Sequence, residues 1–246
     1  MTDTRPVALV TGAARRIGAS IARTLHASGY DLALHCRRSR AELDDLAKEF
    51  DLQRPGSVLV LQADLTSVEM LPDLVDAALE RFGRLDALIN NASAFEATPV
   101  GSVTPAQWDE LFASNARAPF FLAQAAAPAL AQAGGCIINL VDIYAERPLA
   151  RHPVYCMAKA ALVMMTRALA LDLAPQVRVN AIAPGAILWP ESGKTTLEQQ
   201  ALLARVPLAR AGSPQDVASA ALWLLRDAPY VTGEIVHIDG GRSLGI

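Results

Sequence analysis

The chain has 246 residues, of which 52% are hydrophobic and 19% charged, and its formal net charge is -3. That length suits one domain with a large buried core, and the near-neutral balance offers no basic field for nucleic acid, so neither DNA nor RNA is an expected partner. Cys36, Cys136 and Cys156 are odd in number and form no CxxC pair, which argues against a disulfide framework and a metal site and reads them as buried thiols.

Residues 1–5 are polar and lead directly into an apolar run at 7–11, without the marks of a signal peptide, so a cytosolic protein is expected. A helical period follows at 16–28, then an apolar run at 31–35, a helix at 40–50, a run at 57–61, a helix at 67–82 and a run at 87–90. Further on, helices are predicted at 105–115, 154–173 and 214–225, and strands at 136–141, 177–181 and 234–238. The apolar stretch 116–133 is interrupted by Arg117, Pro119, Gln124, Pro128 and Gln132, which makes it a core helix rather than a membrane span. This alternation predicts a Rossmann-type, doubly wound α/β fold, a mainly parallel sheet with helices on both faces and ligands at the carboxyl ends of the strands. No linker, repeat or low-complexity tract divides the chain, so residues 1–246 read as a single domain.

The first strand runs into Thr11-Gly12-Ala13-Ala14-Arg15-Arg16-Ile17-Gly18 ahead of a helix, the place for a pyrophosphate loop. Gly12 permits the tight turn, Gly18 lets the helix pack on the strand, and Arg16 stands where the commoner pattern has a third glycine. The second strand ends in His35-Cys36-Arg37-Arg38-Ser39 rather than in an acid for ribose hydroxyls. Two guanidinium groups and a hydroxyl suit a 2′-phosphate, so the expected cofactor is NADPH/NADP+. Asp64-Leu65, after the third strand, places a carboxylate either on the adenine amino group or at a helix N-terminus.

Only three lysines are present, and Lys159 lies four residues after Tyr155, on the same helical face. An ammonium beside a phenol is expected to lower the phenol's pKa, which suits a proton donor to a reduced substrate, and the same lysine can hold the nicotinamide ribose.

These pieces, together with NNAS at 90–93, Asn115, YCMAK at 155–159, VNAIAPG at 179–185 and VTGEIVHIDGG at 231–241, resemble the short-chain dehydrogenase/reductase family over nearly the whole length. The resemblance implies that Asn91, Ala92 and Ser93 line the cofactor and that Asn115 supports a proton-relay water near Lys159. It further implies that Pro184-Gly185 opens a substrate loop at about 185–204, and that the protein is a homotetramer built on helix 154–173 and the last strand.

Most members of that family carry a serine thirteen positions before the tyrosine, where this chain has Asp142. An ionised carboxylate cannot donate to a carbonyl and repels a developing alkoxide, whereas it suits a basic nitrogen, either binding an amino-pyrimidine or passing a proton toward a C=N bond. Arg16, Phe95 and the HCRRS segment likewise resemble the pteridine reductase branch. There the arginine and the aromatic grip a flat pterin ring, Ser93 and Tyr155 join them at the substrate, and Trp189 in the 186–200 loop is a candidate cap. The resulting expectation is hydride transfer to a small-molecule pterin or folate, with Tyr155, Lys159, Asp142 and Asn115 catalytic and no metal. A ketoreductase such as a 3-oxoacyl reductase, and a non-catalytic NADP(H)-binding regulator, are the alternatives.

Overall fold

A computed structural model describes residues 5–187 and 196–245. Seven parallel strands, β1 (Val7–Val10), β2 (Asp31–Cys36), β3 (Val58–Gln62), β4 (Ala87–Asn90), β5 (Cys136–Leu140), β6 (Arg178–Pro184) and β7 (Ile235–Ile238), form one sheet in the order β3-β2-β1-β4-β5-β6-β7. The Rossmann-type fold expected from the alternation is therefore present. β1 and β2 are buried along their whole lengths, as strands covered on both faces must be. Ala8 and Val10 face a core built with α1 (Arg16–Ala27), α2 (Arg40–Gln53) and later α8 (Pro214–Arg226). Val7 and Leu9 face the opposite core, which holds α3 (Leu71–Phe82), α5 (Ala118–Ala133) and α6 (Pro153–Asp172).

The chain begins at the middle of the sheet, winds outward to β3, and then returns to place β4 on the other side of β1. Val10 pairs with Leu34 on one flank and with Ile89 on the other, so the loops after β1 and β4 diverge from one point. Such a switch point is where an open α/β sheet leaves a crevice for a ligand.

The predicted elements differ from the observed ones where side chains intervene. The helix expected at 105–115 is α4 (Pro105–Phe112), opened by a Thr104/Gln107 capping box, followed by a π-helical turn over Ala113–Arg117 that leads into α5. Asn115 lies in that turn and donates from Nδ2 to the Leu111 carbonyl. β6 runs on to Pro184 because Ala183 and Pro184 pair with His237 and Ile238 of β7. The 186–200 loop ends in a helix, α7 (Thr196–Leu203), which periodicity did not show. By length and hydropathy α6 is the one helix among the described residues that could cross a membrane. It packs Lys159 and Thr166 in the interior, and a buried chain from Asn90 Nδ2 to Asn139 (2.9 Å) and from Asn139 Nδ2 to Thr166 (2.9 Å) ties it to β4 and β5.

Candidate active site

The loop after β1 turns at Gly12, whose φ of 62° lies in the left-handed region that glycine tolerates. A Cβ on Gly18 would sit 2.2 Å from the Gly12 carbonyl oxygen, so the first turn of α1 can lie this close only with glycine. Asn91 Nδ2 donates to the carbonyls of Thr11 (2.8 Å) and Gly12 (2.9 Å), while Thr11 Oγ1 accepts from the main-chain N–H groups of Asn91 and Ala92. The β4 loop thus clamps the β1 loop. No side chain caps the N-terminus of α1, and Arg16 adopts a φ of 54°, an unfavourable conformation for a residue with a Cβ.

His35, expected at the cofactor, lines the crevice beside the β1 loop, and its ring also braces that loop. Nδ1 accepts from the Gly12 N–H at 3.3 Å and Nε2 donates to the Ala63 carbonyl at 3.0 Å, partners that assign the neutral Nε2–H tautomer. Burial holds its pKa below the ordinary histidine value, in keeping with that neutral form.

Arg37, also expected at the cofactor, lines the same crevice and has acidic partners there. Its guanidinium bridges Asp64 (2.7 Å) and Glu110 of α4 (2.7 Å). Arg38 is exposed and makes no ion pair or side-chain hydrogen bond among the described residues, and the Ser39 hydroxyl does not cap α2. Asp64 uses Oδ1 to accept from the Thr66 N–H and hydroxyl; against the upward push of burial, those bonds and the Arg37 charge hold its carboxyl below the usual range. Leu65 is buried behind it.

Gly12, Arg16, Gly18, His35, Arg37, Arg38, Ser39 and Asp64 border a cavity of about 1070 Å³, which also touches Ile17, Leu65 and Ala92. Among the described residues the uncapped N-terminus of α1 and the unpaired Arg38 guanidinium border this cavity, and they fit the phosphate groups of NAD(P)H. A smaller cavity of about 200 Å³ adjoins it, bordered by Ser93, Asp142, Tyr155, Lys159, Pro184 and Gly185. Gly185 allows close contact with Asp239, whose Cβ would be 2.6 Å from a Cβ at that position.

Asp142 follows β5 in extended backbone, φ -160° and ψ 150°. Oδ1 accepts from the Tyr144 N–H at 3.0 Å, and Oδ2 accepts from the Tyr155 hydroxyl at 2.8 Å. One turn along α6, the buried Lys159 ammonium donates to the Leu140 carbonyl at 2.8 Å. Burial brings Lys159 down to about 8, with the Asp142 charge working the other way. Tyr155 is pushed well above its ordinary value, by burial first and then by the Asp142 charge and its hydrogen bond. The expected lowering of the phenol by Lys159 is therefore corrected. The ammonium lies 5.8 Å from the phenol ring centroid, whereas the carboxylate is in hydrogen-bond contact with the hydroxyl itself. Burial also raises the Asp142 carboxyl above the usual range, against the hydrogen bonds from Tyr144 and Tyr155 and the charges of Lys159 and Arg242.

Asn115 is fully buried and holds the loop after β4, donating to the Ala94 carbonyl (2.9 Å) and accepting from Ser93 Oγ (2.7 Å). Phe95, next in that loop, remains 58% exposed. It stacks on His152 with centroids 4.7 Å apart and meets Tyr155 edge-on at 4.8 Å, so its ring is held at the edge of the cavity. Tyr144, His152 and Arg242 also border the cavity without having been singled out in the sequence. His152 offers only its proximity to Tyr155 as a signal, and Arg242 offers none. Trp189 lies outside the described residues.

A family model described as Enoyl-(Acyl carrier protein) reductase matches residues 12–243. The chain belongs to the short-chain dehydrogenase/reductase family. This family member is 38% identical to pteridine reductase 1 of Leishmania tarentolae, across 99% of this chain and 98% of the relative. It is 35% identical to granaticin polyketide synthase putative ketoacyl reductase 2 of Streptomyces violaceoruber, across 97% and 96%. A 3-oxoacyl-[acyl-carrier-protein] reductase of Staphylococcus aureus (strain Mu50) is 32% identical across 96% and 98%. The protein is an oxidoreductase of this family, and NAD(P)H use agrees with the cradle around Gly12 and Gly18.

Proposed function

We propose that the protein is an NADPH-dependent pteridine reductase, which adds hydride to a ring carbon of a dihydropterin or dihydrofolate and a proton to the adjacent nitrogen. The observation that carries this reading is the 2.8 Å bond between Tyr155 and Asp142, a carboxyl where a carbonyl reductase needs a donor. The similarity to a pteridine reductase supports it.

When bound, NADPH supplies the hydride; the protein supplies the proton. With Asp142 ionised, the Tyr155 hydroxyl points at the carboxylate and its proton is not available to substrate. With Asp142 protonated, the bond reverses, the carboxyl donates to Tyr155 Oη, and the phenol's own proton is free to pass to the ring nitrogen. Tyr155 then recovers a proton from Asp142, which is left ionised and is recharged from solvent. The raised pKa of Asp142 keeps more of that carboxyl protonated near neutrality than an ordinary aspartate would be. Lys159, fixed on the Leu140 carbonyl, would hold the cofactor ribose, and Phe95, braced by His152, would stack on the flat ring.

A ketone leaves this arrangement poorly matched, since an ionised Asp142 faces the developing alkoxide. The proposal includes a cytosolic location and a homotetramer, the latter supported by the exposed Met157, Met164 and Leu171 along α6, with solution mass as its check. The functional test is NADPH oxidation with dihydropterins, dihydrofolate and 3-oxoacyl esters. Turnover of a dihydropterin above that of any oxoacyl ester is expected; preference for the oxoacyl ester would make the protein a ketoreductase, and no turnover of any would favour a regulator.

A further inference from the structure

Arg242 borders the large cavity and is a cation to which the proposed reaction assigns no step. Arg242 lies in a 3-10 turn, Arg242–Leu244, just after β7, and is half-buried. Its Nη2 donates to the Tyr144 hydroxyl at 2.8 Å, and its guanidinium carbon lies 5.4 Å from the Tyr144 ring centroid. Among the described residues this is its only side-chain hydrogen bond and it has no ion pair, although its charge acts on the Asp142 carboxyl without touching it. The adjacent carboxylate, Asp239, is already engaged by the N–H groups of Gly241 (2.8 Å) and Ser243 (2.7 Å). Glu146, also nearby in sequence to Tyr144, pairs with His237 instead at 3.4 Å.

A guanidinium has five donors, and one that is partly removed from water gains from an anionic partner. Arg242 has one donor used, is held by a phenol at its side, and borders the same cavity as Asp142, Phe95 and His152. Tyr144 fixes that position from both ends, since its own N–H bonds Asp142 and its hydroxyl bonds Arg242. We propose that Arg242, positioned by Tyr144, binds a negative charge on the substrate's side chain. On the pteridine reading, on which this inference rests, the substrate class is then a dihydropterin bearing an anionic substituent, either a carboxylate as in dihydrofolate or a phosphate ester.

The experiment compares the parent enzyme, Arg242→Gln and Arg242→Lys with dihydrofolate, a dihydropterin alcohol phosphate and an uncharged methyl dihydropterin, at low and high salt. Thermal melting checks that each variant is folded. In the parent, at least one anionic substrate should have the highest kcat/KM, and salt should raise its KM more than that of the uncharged one. Arg242→Gln should lower the anionic-to-uncharged ratio of kcat/KM by roughly tenfold, through KM rather than kcat, and Arg242→Lys should restore much of it. The two anionic arms tell carboxylate from phosphate. An unchanged ratio overturns the proposal, as does an equal fall in kcat for all three substrates with a displaced pH profile, which would place Arg242 behind Asp142 alone. Failure of all three substrates in the parent enzyme overturns the pteridine reading and this inference together, so the two failures are told apart.

Discussion

Tyr155 and Asp142 share one proton path, and their pKa values both stand above the ordinary ones because burial disfavours charge on either. Tyr155→Phe keeps the ring beside Phe95 but deletes the proton, so turnover should fall by at least about a hundredfold while cofactor titration stays close to the parent. Near-normal turnover would assign the donor elsewhere. The two arginines after β2 should separate in the same way. Arg38→Ala should remove most of the preference for NADPH over NADH, whereas Arg37→Ala, which breaks bridges to Asp64 and Glu110, should act more on loop stability. Equal loss of preference in both variants, read from the two Michaelis constants, would contradict that division. The sequence made Tyr155, Lys159 and Asp142 legible because their meaning lies in spacing along one helix and one strand end. It did not show that His35 and Arg37 also hold the loops of that crevice together, because their partners Gly12, Ala63 and Glu110 come from other elements.

Among the elements, the β1–α1 unit was readable because two glycines, a strand pattern and a helix pattern are contiguous. Its close packing makes a quantitative prediction. Gly18→Ala would put a Cβ 2.2 Å from the Gly12 carbonyl and 2.6 Å from Asn91 Nδ2, forcing the loop apart at a cost of about 1–3 kcal/mol. Both the melting temperature and NADPH affinity should fall, and a variant that melts and binds like the parent would show that the loop has room. The π-helical turn was not legible, since it depends on the Asn115 amide reaching back to the Leu111 carbonyl within a stretch that otherwise reads as helix. α7 was missed for a different reason. Its sequence carries little apolar periodicity, and the stretch was read as part of a substrate loop.

Across the whole molecule, the βαβ alternation placed the ligand at the carboxyl ends of the strands, and the observed strand order adds that the crevice opens beside β1 and β4. The fold also carries a pH dependence of stability. His26 is pulled below 6.5 by burial and then by the Arg54 charge, and His35 is pulled below 6.5 by burial. The unfolded chain therefore takes up protons first, so their contribution is complete above 6.5 and is lost as pH falls toward the folded-state values. Asp142, whose pKa is raised, acts in the opposite sense, its contribution being present below 3.8 and lost as pH rises through the folded value. Melting temperature should thus drop between about pH 7 and pH 5, and His35→Gln should make the slope shallower. A flat profile in the parent would contradict the neutral, loop-supporting His35.

The central claim is that Asp142 sets the substrate through its bond to Tyr155, and the most direct measurement is the pH profile of dihydropterin turnover in the parent and in Asp142→Ser. Turnover in the parent should rise as pH falls, because the carboxyl must be protonated for Tyr155 to release its proton to the ring. Asp142→Ser should lose about a hundredfold or more of that turnover, on the order of 3 kcal/mol of transition-state stabilisation, and should flatten the acidic limb. An Asp142→Ser enzyme that reduces dihydropterins at the parent rate with the parent pH profile would contradict the account.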